Sequence, residues 1–238
     1  MWERDSKFPF KREIKCQFCG TEGGFELSES DIANILRTGN IKLHRTRALQ
    51  KVLPGFNKIP DAVNEVIESY LPRSLSVLTR LINKNDGYQT NNFRKKILEA
   101  LLILACDYGS MSWGIGSGKS RPKQVSTPGQ FKEFNLWNIL EEGQKQLSLL
   151  NEPIPLTYYP DQPPESGGIC FYPNRIRHHD DLQHLPEFKI VATVLPRPNQ
   201  AFWTYSAVWA GWLWGPEEAN RLSVALERRR YDWLWHTF

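Results

Sequence analysis

The sequence predicts an α/β protein that is mostly helical over its N-terminal and middle regions and has an incomplete α/β segment at its C-terminal end. Three observations predict this class. Apolar residues recur at helical spacing between residues 60 and 150. Five prolines between Pro153 and Pro164 then interrupt regular structure. Beyond them, residues 188–195 are apolar almost throughout, which is typical of a strand buried on both faces.

The composition excludes several classes of protein. The 238 residues are 40% hydrophobic and 24% charged, as in a globular protein and unlike a disordered tail. No apolar run approaches the roughly 18 residues that a membrane span needs. The first five residues contain two acids and no apolar segment, unlike a secretory signal. We therefore expect a cytoplasmic protein with no membrane partner. The net charge of +4 permits a polyanionic partner without requiring one.

The first part of the chain is basic and rich in turns. Residues 1–28 surround a Cys-x-x-Cys-Gly sequence, and Ser30 and Asp31 predict the start of a short helix over 31–38. Residues 40–58 form a basic run with little periodicity, so no element is predicted there. The spacing then predicts helices from Pro60 over about ten residues, from Pro72 to about residue 82, and near 91–108 and 131–150.

The amino-acid composition changes after Glu152. A proline-rich linker precedes two strand candidates, at 168–172 and 188–195. Helices are predicted near 200–213, ended by Gly215 and Pro216, and near 216–230. Six of the nine tryptophans fall in the last 36 residues. The predicted segments are therefore 1–28, 29–152 and 153–238.

Cys16 and Cys19, followed by Gly20, form one knuckle of a zinc ribbon, because this spacing lets both thiolates reach one tetrahedral ion. A complete site needs a second pair, and the other two cysteines are isolated. His44 is one candidate third ligand. Three interpretations remain open: a degenerate zinc knuckle, a reduced surface dithiol without metal, and a redox pair.

Two other motifs carry weaker signals. Residues 114–120 resemble a phosphate-binding loop, but the first required glycine is Trp113 and a predicted helix precedes the segment, so a flexible basic loop is the better interpretation. His178, His179 and the two aspartates after them suggest a metal cluster. Neighbouring side chains on an extended segment point to opposite faces, however, which favours a solvated turn.

The tryptophan-rich stretch supports a more specific hypothesis. Residues 195–215 read LPRPNQAFWTYSAVWAGWLWG, and residues 228–233 read RRRYDW. Both resemble the region around the catalytic motif of a group of bacterial S-adenosylmethionine-dependent DNA methylases, which modify the exocyclic amine of adenine or cytosine. The cysteine knuckle resembles the zinc-ribbon insert of that group. Residues 72–75, 121–124 and 135–137 resemble its helical segment.

The resemblance implies an incomplete Rossmann-like methyltransferase half-core that acts on a base flipped out of DNA. It implies that Pro196 and Asn199 shape the catalytic loop, while Phe202 and Trp203 stack on the base. It places Asp180 and Asp181 where an acidic turn contacts S-adenosylmethionine. It also implies zinc at Cys16 and Cys19.

The sequence departs from the methylase pattern at the catalytic loop. Where such enzymes carry Asp or Asn followed by two prolines and an aromatic residue, this chain has Val194, Leu195, Pro196 and Arg197. No glycine-rich cofactor loop follows a predicted strand. The sequence therefore predicts a fragment or degenerate copy with little activity alone. Two alternatives stay open: a non-catalytic nucleic-acid-binding module, and an interaction protein whose partner chain supplies the cofactor site.

Overall fold

The computed structural model describes residues 1–16, 18–37, 41–53, 60–116, 118–119, 124–149, 154–161, 164–172 and 201–222. Within these ranges the fold is mixed and mostly helical. The helices are α1 (Glu29–Leu36), α2 (Ile41–Gln50), α3 (Asp61–Glu68), α4 (Pro72–Gly87), α5 (Asn92–Gly109), α6 (Leu136–Ser148), α7 (Ala201–Trp214) and α8 (Pro216–Arg221). The strands are β1 (Trp2–Glu3), β2 (Arg12–Lys15), β3 (Glu22–Phe25), β4 (Trp113–Gly114), β5 (Gly118–Lys119), β6 (Gln130–Phe131), β7 (Leu156–Tyr158) and β8 (Ile169–Phe171).

The described residues divide into two compact units. One is drawn from Met1–Gln144 and Asn199–Tyr231, and the other from Lys145–Pro198. Helices α7 and α8 therefore belong with the N-terminal helices. The predicted division differs on this point, because it placed α7 and α8 with residues 153–198. The aromatic side chains of α7 find their apolar partners on α3, α4 and α5.

Helix α7 is the centre of the helical core. It is apolar on all sides, as expected of a helix surrounded by others. Trp212 is fully buried, and its indole N–H donates to the carbonyl of Ala48 at 3.0 Å. Gly211 lets α7 approach α8 and the turn after α2 closely, because a Cβ there would lie 3.0 Å from Val52 and 3.1 Å from Ala219. The aromatic stretch is thus chiefly a packing element of the first unit.

Most predicted helices are confirmed, with shifted ends. Helix α1 begins at Glu29 because Ser28 is its N-cap: the Ser28 hydroxyl accepts from the Asp31 N–H, and the Asp31 carboxylate accepts from the Ser28 N–H at 2.8 Å. Helix α6 starts at Leu136, since Gln130 and Phe131 pair as strand β6. Helix α4 continues through Gly87.

Helix α2 lies in the basic run for which no element was predicted. Its buried residues are His44 and Ala48, four apart, with Val52 following at the same interval. The remaining positions are mostly polar, so the apolar period was too weak to identify from the sequence. The four-residue spacing of His44, Ala48 and Val52 was the available signal.

Two small antiparallel sheets accompany the helices of the first unit. Four strands pair in the order β1-β6-β4-β5, with Trp2 opposite Phe131. Strands β2 and β3 form a separate hairpin that pairs Lys15 with Glu22. The stretch that resembled a phosphate loop contributes β4 and β5, which pair antiparallel. It therefore follows helix α5 as a short hairpin, whereas a nucleotide-binding loop follows a strand and leads into a helix.

The second unit contains one pair of described strands, β7 and β8, which run parallel with Thr157 opposite Cys170. The strand predicted over 168–172 is confirmed as Ile169–Phe171. The strand predicted over 188–195 lies outside the described residues. In the described ranges, no helix combines the length and the apolar character that a membrane span would require.

Candidate functional site

Phe202 and Trp203, two of the four predicted catalytic residues, lie in the first turn of α7. Both are partly exposed, and their rings meet edge to face with centroids 5.3 Å apart. Pro196 and Asn199, the other two, lie outside the described residues. The same holds for Asp180 and Asp181, which the resemblance assigned to the cofactor.

The aromatic residues that follow on α7 have structural roles. Tyr205 and Trp209 are buried, and their rings pack with centroids 5.6 Å apart. Trp209 donates to the hydroxyl of Tyr70, which in turn donates to the carbonyl of Cys106. Burial raises the pKa of both Tyr70 and Tyr205, so these phenols stay neutral. Tyr205 and Trp209 are therefore residues of the core.

The cysteine knuckle is the tip of the β2–β3 hairpin. The Cys16 N–H donates to the Thr21 carbonyl at 2.9 Å, and the Gly20 N–H donates back to the Cys16 carbonyl at 3.1 Å. Gly20 has φ of +70°, which a residue with a side chain rarely adopts. This turn places both cysteines at the tip of the hairpin, with Cys16 half-buried and Cys19 exposed.

The Cys19 thiol is exposed and acidic. Its sulfur lies 3.1 Å from the Thr21 hydroxyl. Hydrogen bonds from the Thr21 side chain and backbone, together with one from Cys16, lower the pKa of Cys19 to about 7. A large fraction of this thiol is therefore the thiolate at neutral pH, the form that binds metals and attacks electrophiles.

Two thiols satisfy half of a tetrahedral zinc site. Both cysteines are free, and the described residues contain no cluster of three or more His, Cys, Asp or Glu side chains that could hold a metal. The expectation that His44 is a third ligand is wrong, since both of its ring nitrogens bond elsewhere. His178 and His179 lie outside the described residues.

His44 is buried between α2 and α4. Its Nδ1 lies 2.7 Å from the Thr79 hydroxyl and its Nε2 lies 3.1 Å from the Ser76 hydroxyl. The Thr79 hydroxyl donates its proton to the Ser76 carbonyl, so it accepts a hydrogen bond from the His44 Nδ1–H. The unprotonated Nε2 of His44 then accepts from the Ser76 hydroxyl. Burial, then the charges of Arg80 and Arg47, lower the pKa of His44. A neutral imidazole thus joins the two helices.

Basic side chains lie on the solvent side of the contact that His44 makes between α2 and α4. Arg47 lies three residues after His44, and Arg80 directly follows Thr79; both side chains are exposed. Lys51 and Lys84 extend the two rows by one helical turn each. Arg47 and Lys51 line a small crevice between α2 and α4. We call these four residues the α2–α4 basic face.

Most of the charge on the α2–α4 basic face is uncompensated. Lys51 forms an ion pair with Asp86 and donates to the Trp212 carbonyl at 3.0 Å. Among the described residues, no carboxylate forms an ion pair with Arg47, Arg80 or Lys84. Like charges four residues apart on one helix repel each other. Repulsion within the α2–α4 basic face therefore lowers the stability of the fold, and a bound anionic ligand would reduce this repulsion.

The other cations of the basic run behave differently. Arg45 is bound to Glu68 and Asn64, at 3.0 and 3.1 Å, and points away from this face. Sequence reasoning identified Arg47 and Lys51 as part of the run but missed Arg80 and Lys84. Arg80 and Lys84 are four residues apart and fall between the apolar positions of α4. This spacing places them on the same polar side of the helix and was the pattern that could have identified them.

A groove of about 900 Å³ lies between the β2–β3 hairpin, α1 and the start of α6. Most of its charged groups form ion pairs. Arg12 pairs with Asp31 at 2.9 Å, and Lys132 pairs with Glu13 at 3.0 Å. Glu133 receives both the guanidinium of Arg73 and the indole N–H of Trp2. These pairs hold the hairpin to the rest of the unit, and the positive charge left over in the groove is that of Lys11 and the Met1 amino group.

Comparison of the chain with protein-family models, with curated protein sequences and with solved structures gives no match.

Proposed function

We propose that this chain is a methylase-like DNA-binding protein: its α2–α4 basic face binds the phosphate backbone, and the chain alone transfers little or no methyl group from S-adenosylmethionine. It acts in the cytoplasm, where thiols such as Cys16 and Cys19 stay reduced. The observation that carries the proposal is the set of four cations on α4, on α2 and in the turn after α2; three of them are exposed and have no carboxylate partner among the described residues.

A row of fixed cations is suited to a regular polyanion. Each Lys or Arg that neutralises a phosphate releases a condensed counterion, and this release drives binding without regard to base sequence. The buried His44 holds α2 against α4, so the cations of both helices are presented from one rigid support. Such contacts position a protein on nucleic acid, while base contacts supply specificity.

The resemblance of residues 195–215 to the DNA methylases supports DNA as the polyanion. It also supports a methylase ancestry in which a catalytic loop received a flipped base. Val194 stands where that loop carries its acid, and no glycine-rich cofactor loop is found in the sequence. We therefore assign methyl transfer to a longer protein or to a second chain that completes the core, and DNA contact to the part described here.

The first experiment measures binding of a fluorescent DNA duplex of about 20 base pairs at several salt concentrations. We expect log Kd to rise linearly with log salt. The double variant Arg47→Gln/Arg80→Gln should weaken binding and lower the magnitude of this slope by about 2, since two phosphate contacts are lost. The matched control, Arg94→Gln/Lys96→Gln, removes two exposed cations from α5 and should leave the slope almost unchanged.

Two outcomes would contradict the proposal. Binding that does not respond to salt would exclude the phosphate backbone as the ligand. Equal losses in the two variants would mean that net charge, and not the α2–α4 basic face, controls binding. A single-stranded probe of the same sequence shows whether the duplex form is required.

The methylase part of the proposal is tested by calorimetric titration of the folded chain with S-adenosylmethionine. We expect no binding in the micromolar range and no methylation of DNA. Binding of that strength, or methyl transfer by the chain alone, would overturn the assignment of catalysis to another segment. In that case Val194→Asp, which restores the missing acid, should raise the rate.

A further inference from the structure

The groove between the β2–β3 hairpin, α1 and α6 is large enough to hold a small molecule. Its volume of about 900 Å³ lies within the roughly 300–1,000 Å³ that small-molecule sites occupy. Ion pairs between separate segments fix its walls, with Arg12 bound to Asp31 and Lys132 bound to Glu13. Walls that are already held in place lose little conformational freedom when a ligand binds. The groove is therefore a preformed cavity.

Lys11 brings to the groove a positive charge that no carboxylate neutralises. Four other basic side chains line the groove, and each forms an ion pair with one of the four carboxylates that line it. No carboxylate of the described residues is left to pair with Lys11, whose side chain is exposed. The net charge of the groove is therefore positive, which favours an anionic ligand over a cationic one.

Gly24 determines where the Lys11 side chain lies. A Cβ added at Gly24 would overlap the Lys11 Cε atom and lie 2.5 Å from its Nζ, so the lysine side chain lies directly over the glycine. The backbone of Lys11 is held as well, since the Met1 amino group donates to the Lys11 carbonyl at 2.8 Å. The position of the ammonium group therefore depends on the absence of a side chain at residue 24.

Two asparagine side chains line the groove on its helical side. Asn34 lies on α1 and Asn138 lies on α6, and both are exposed. Among the described residues, neither amide group has a hydrogen-bond partner. A side-chain amide offers two N–H donors and one carbonyl acceptor, so it can bind a hydroxyl group in either direction. The helical side of the groove is therefore suited to a ligand that carries hydroxyl groups.

We propose that this groove binds a small organic anion that is rich in hydroxyl groups. The Lys11 ammonium group binds its phosphate or carboxylate, and the amides of Asn34 and Asn138 bind its hydroxyls. Lysine acts on an oxyanion as a point charge, so both acids satisfy it. This inference goes beyond DNA binding and does not depend on it, because no residue of the α2–α4 basic face lines the groove.

The test is a nuclear magnetic resonance titration of the isotope-labelled full chain at low salt. Three probes share one carbon skeleton: glucose-6-phosphate, gluconate and uncharged glucose. We expect the two anions to shift the amide signals of Gly23 and Gly24 and to bind more tightly than glucose. The tighter of the two anions identifies the preferred acid. The Arg47→Gln/Arg80→Gln variant should bind both anions as the unmutated chain does.

Lys11→Gln should weaken binding of both anions about tenfold or more, because a charged hydrogen-bond donor is lost. Gly24→Ala keeps the charge but places a methyl group where the Lys11 side chain lies, so it should weaken binding too. Thermal unfolding of Gly24→Ala should change little, since the displaced atoms are the end of a flexible side chain. The control Lys7→Gln removes an exposed cation outside the groove and should leave the affinity unchanged.

Several results would overturn the proposal. One is that neither anion binds, or that glucose binds as tightly as they do. Equal affinities of Lys11→Gln and Lys7→Gln would show that Lys11 has no special part, and unchanged affinity in Gly24→Ala would show that its position does not matter. Shifts at Arg47 and Arg80 in place of Gly23 and Gly24 would assign the anions to the α2–α4 basic face, which would contradict the groove while supporting the DNA proposal.

Discussion

The indole N–H of Trp209 donates a 2.8 Å hydrogen bond to the hydroxyl of Tyr70, a residue 139 positions earlier in the chain. The same hydroxyl donates to the Cys106 carbonyl at 2.9 Å. One phenol therefore connects α5 and α7 just after the end of α3, inside the helical core. Both of its partners are buried, so neither can turn to water instead.

Replacement of Tyr70 by Phe should lower the free energy of unfolding by about 1–3 kcal/mol, since the Trp209 N–H and the Cys106 carbonyl would lose a buried partner. Urea unfolding followed by tryptophan fluorescence measures the change. Tyr88→Phe is the matched control, because Tyr88 is more than half exposed at the end of α4. Equal midpoints for the two variants would show that the Tyr70 hydroxyl adds nothing to stability.

Gly211→Ala should destabilise the protein by about 1–2 kcal/mol through overpacking. The new methyl group would lie 3.2 Å from the backbone oxygen of Lys51 and 3.1 Å from the Ala219 Cβ, neither of which is the end of a flexible side chain. Gly87→Ala serves as the control, since no heavy atom lies within 4 Å of a Cβ there. We expect that control to be neutral or slightly stabilising in thermal unfolding. If Gly211→Ala is as stable as the unmutated chain, α7 is not held as closely as described.

These residues also show what the sequence can predict about the fold. Helices α3, α4, α5 and α7 were predicted because their apolar residues repeat with the period of a helix, and Gly215 with Pro216 marked the end of α7. Helix α2 was missed because it buries few side chains and two of its contacts are polar ones made by His44. No local pattern indicated that α7 returns to the N-terminal helices, since this pairing depends on shape complementarity between distant segments.

The stability of the folded chain should decrease as the pH falls below about 6.5. Burial and the charges of Arg80 and Arg47 lower the pKa of His44 in the folded state, so the unfolded chain binds the proton more readily. The contribution is fully present above the unfolded pKa near 6.5 and is lost as the pH falls toward the lowered folded value. Urea unfolding between about pH 5 and 7.5 gives the slope.

His44→Gln isolates that effect, because the variant keeps every other titrating group. We expect a smaller pH dependence for His44→Gln than for the unmutated chain, and an intermediate one for Arg80→Gln, which removes one of the repelling charges. Parallel curves for all three proteins would mean that His44 does not contribute to the pH dependence.

Cys19 should react with iodoacetamide faster than an ordinary thiol, with a half-maximal rate near pH 7 in the reduced, metal-free chain. Thr21→Val should move this midpoint upward, because the largest stabilising hydrogen bond to the thiolate is lost. Mass spectrometry of the modified peptide measures the rate. Cys106, whose pKa is raised by burial, is the internal reference and should stay unmodified. An unchanged midpoint in Thr21→Val would contradict the hydrogen bond between the Thr21 hydroxyl and the Cys19 sulfur.

The candidate site could be predicted only in part, for reasons that particular residues make clear. The cysteine knuckle is a local pattern, so its spacing and glycine sufficed to locate it. The α2–α4 basic face combines Arg47 with Arg80, two residues on different helices, and no local pattern indicates that they share a surface. Its position depends on the buried contact of His44 with Thr79. In the sequence, His44 looked like one more basic residue in the run over 40–58.

Because the first compact unit is completed by α7, its folding must wait for a late segment of the chain. During synthesis, α3, α4 and α5 leave the ribosome well before residues 201–214, and the apolar surfaces that later cover Trp209 and Trp212 stay exposed to solvent in the meantime. Exposed surfaces of this kind favour aggregation and chaperone binding. A nascent chain stalled before α7 should therefore be held by chaperones and be open to proteases, and protection should begin when the aromatic helix emerges.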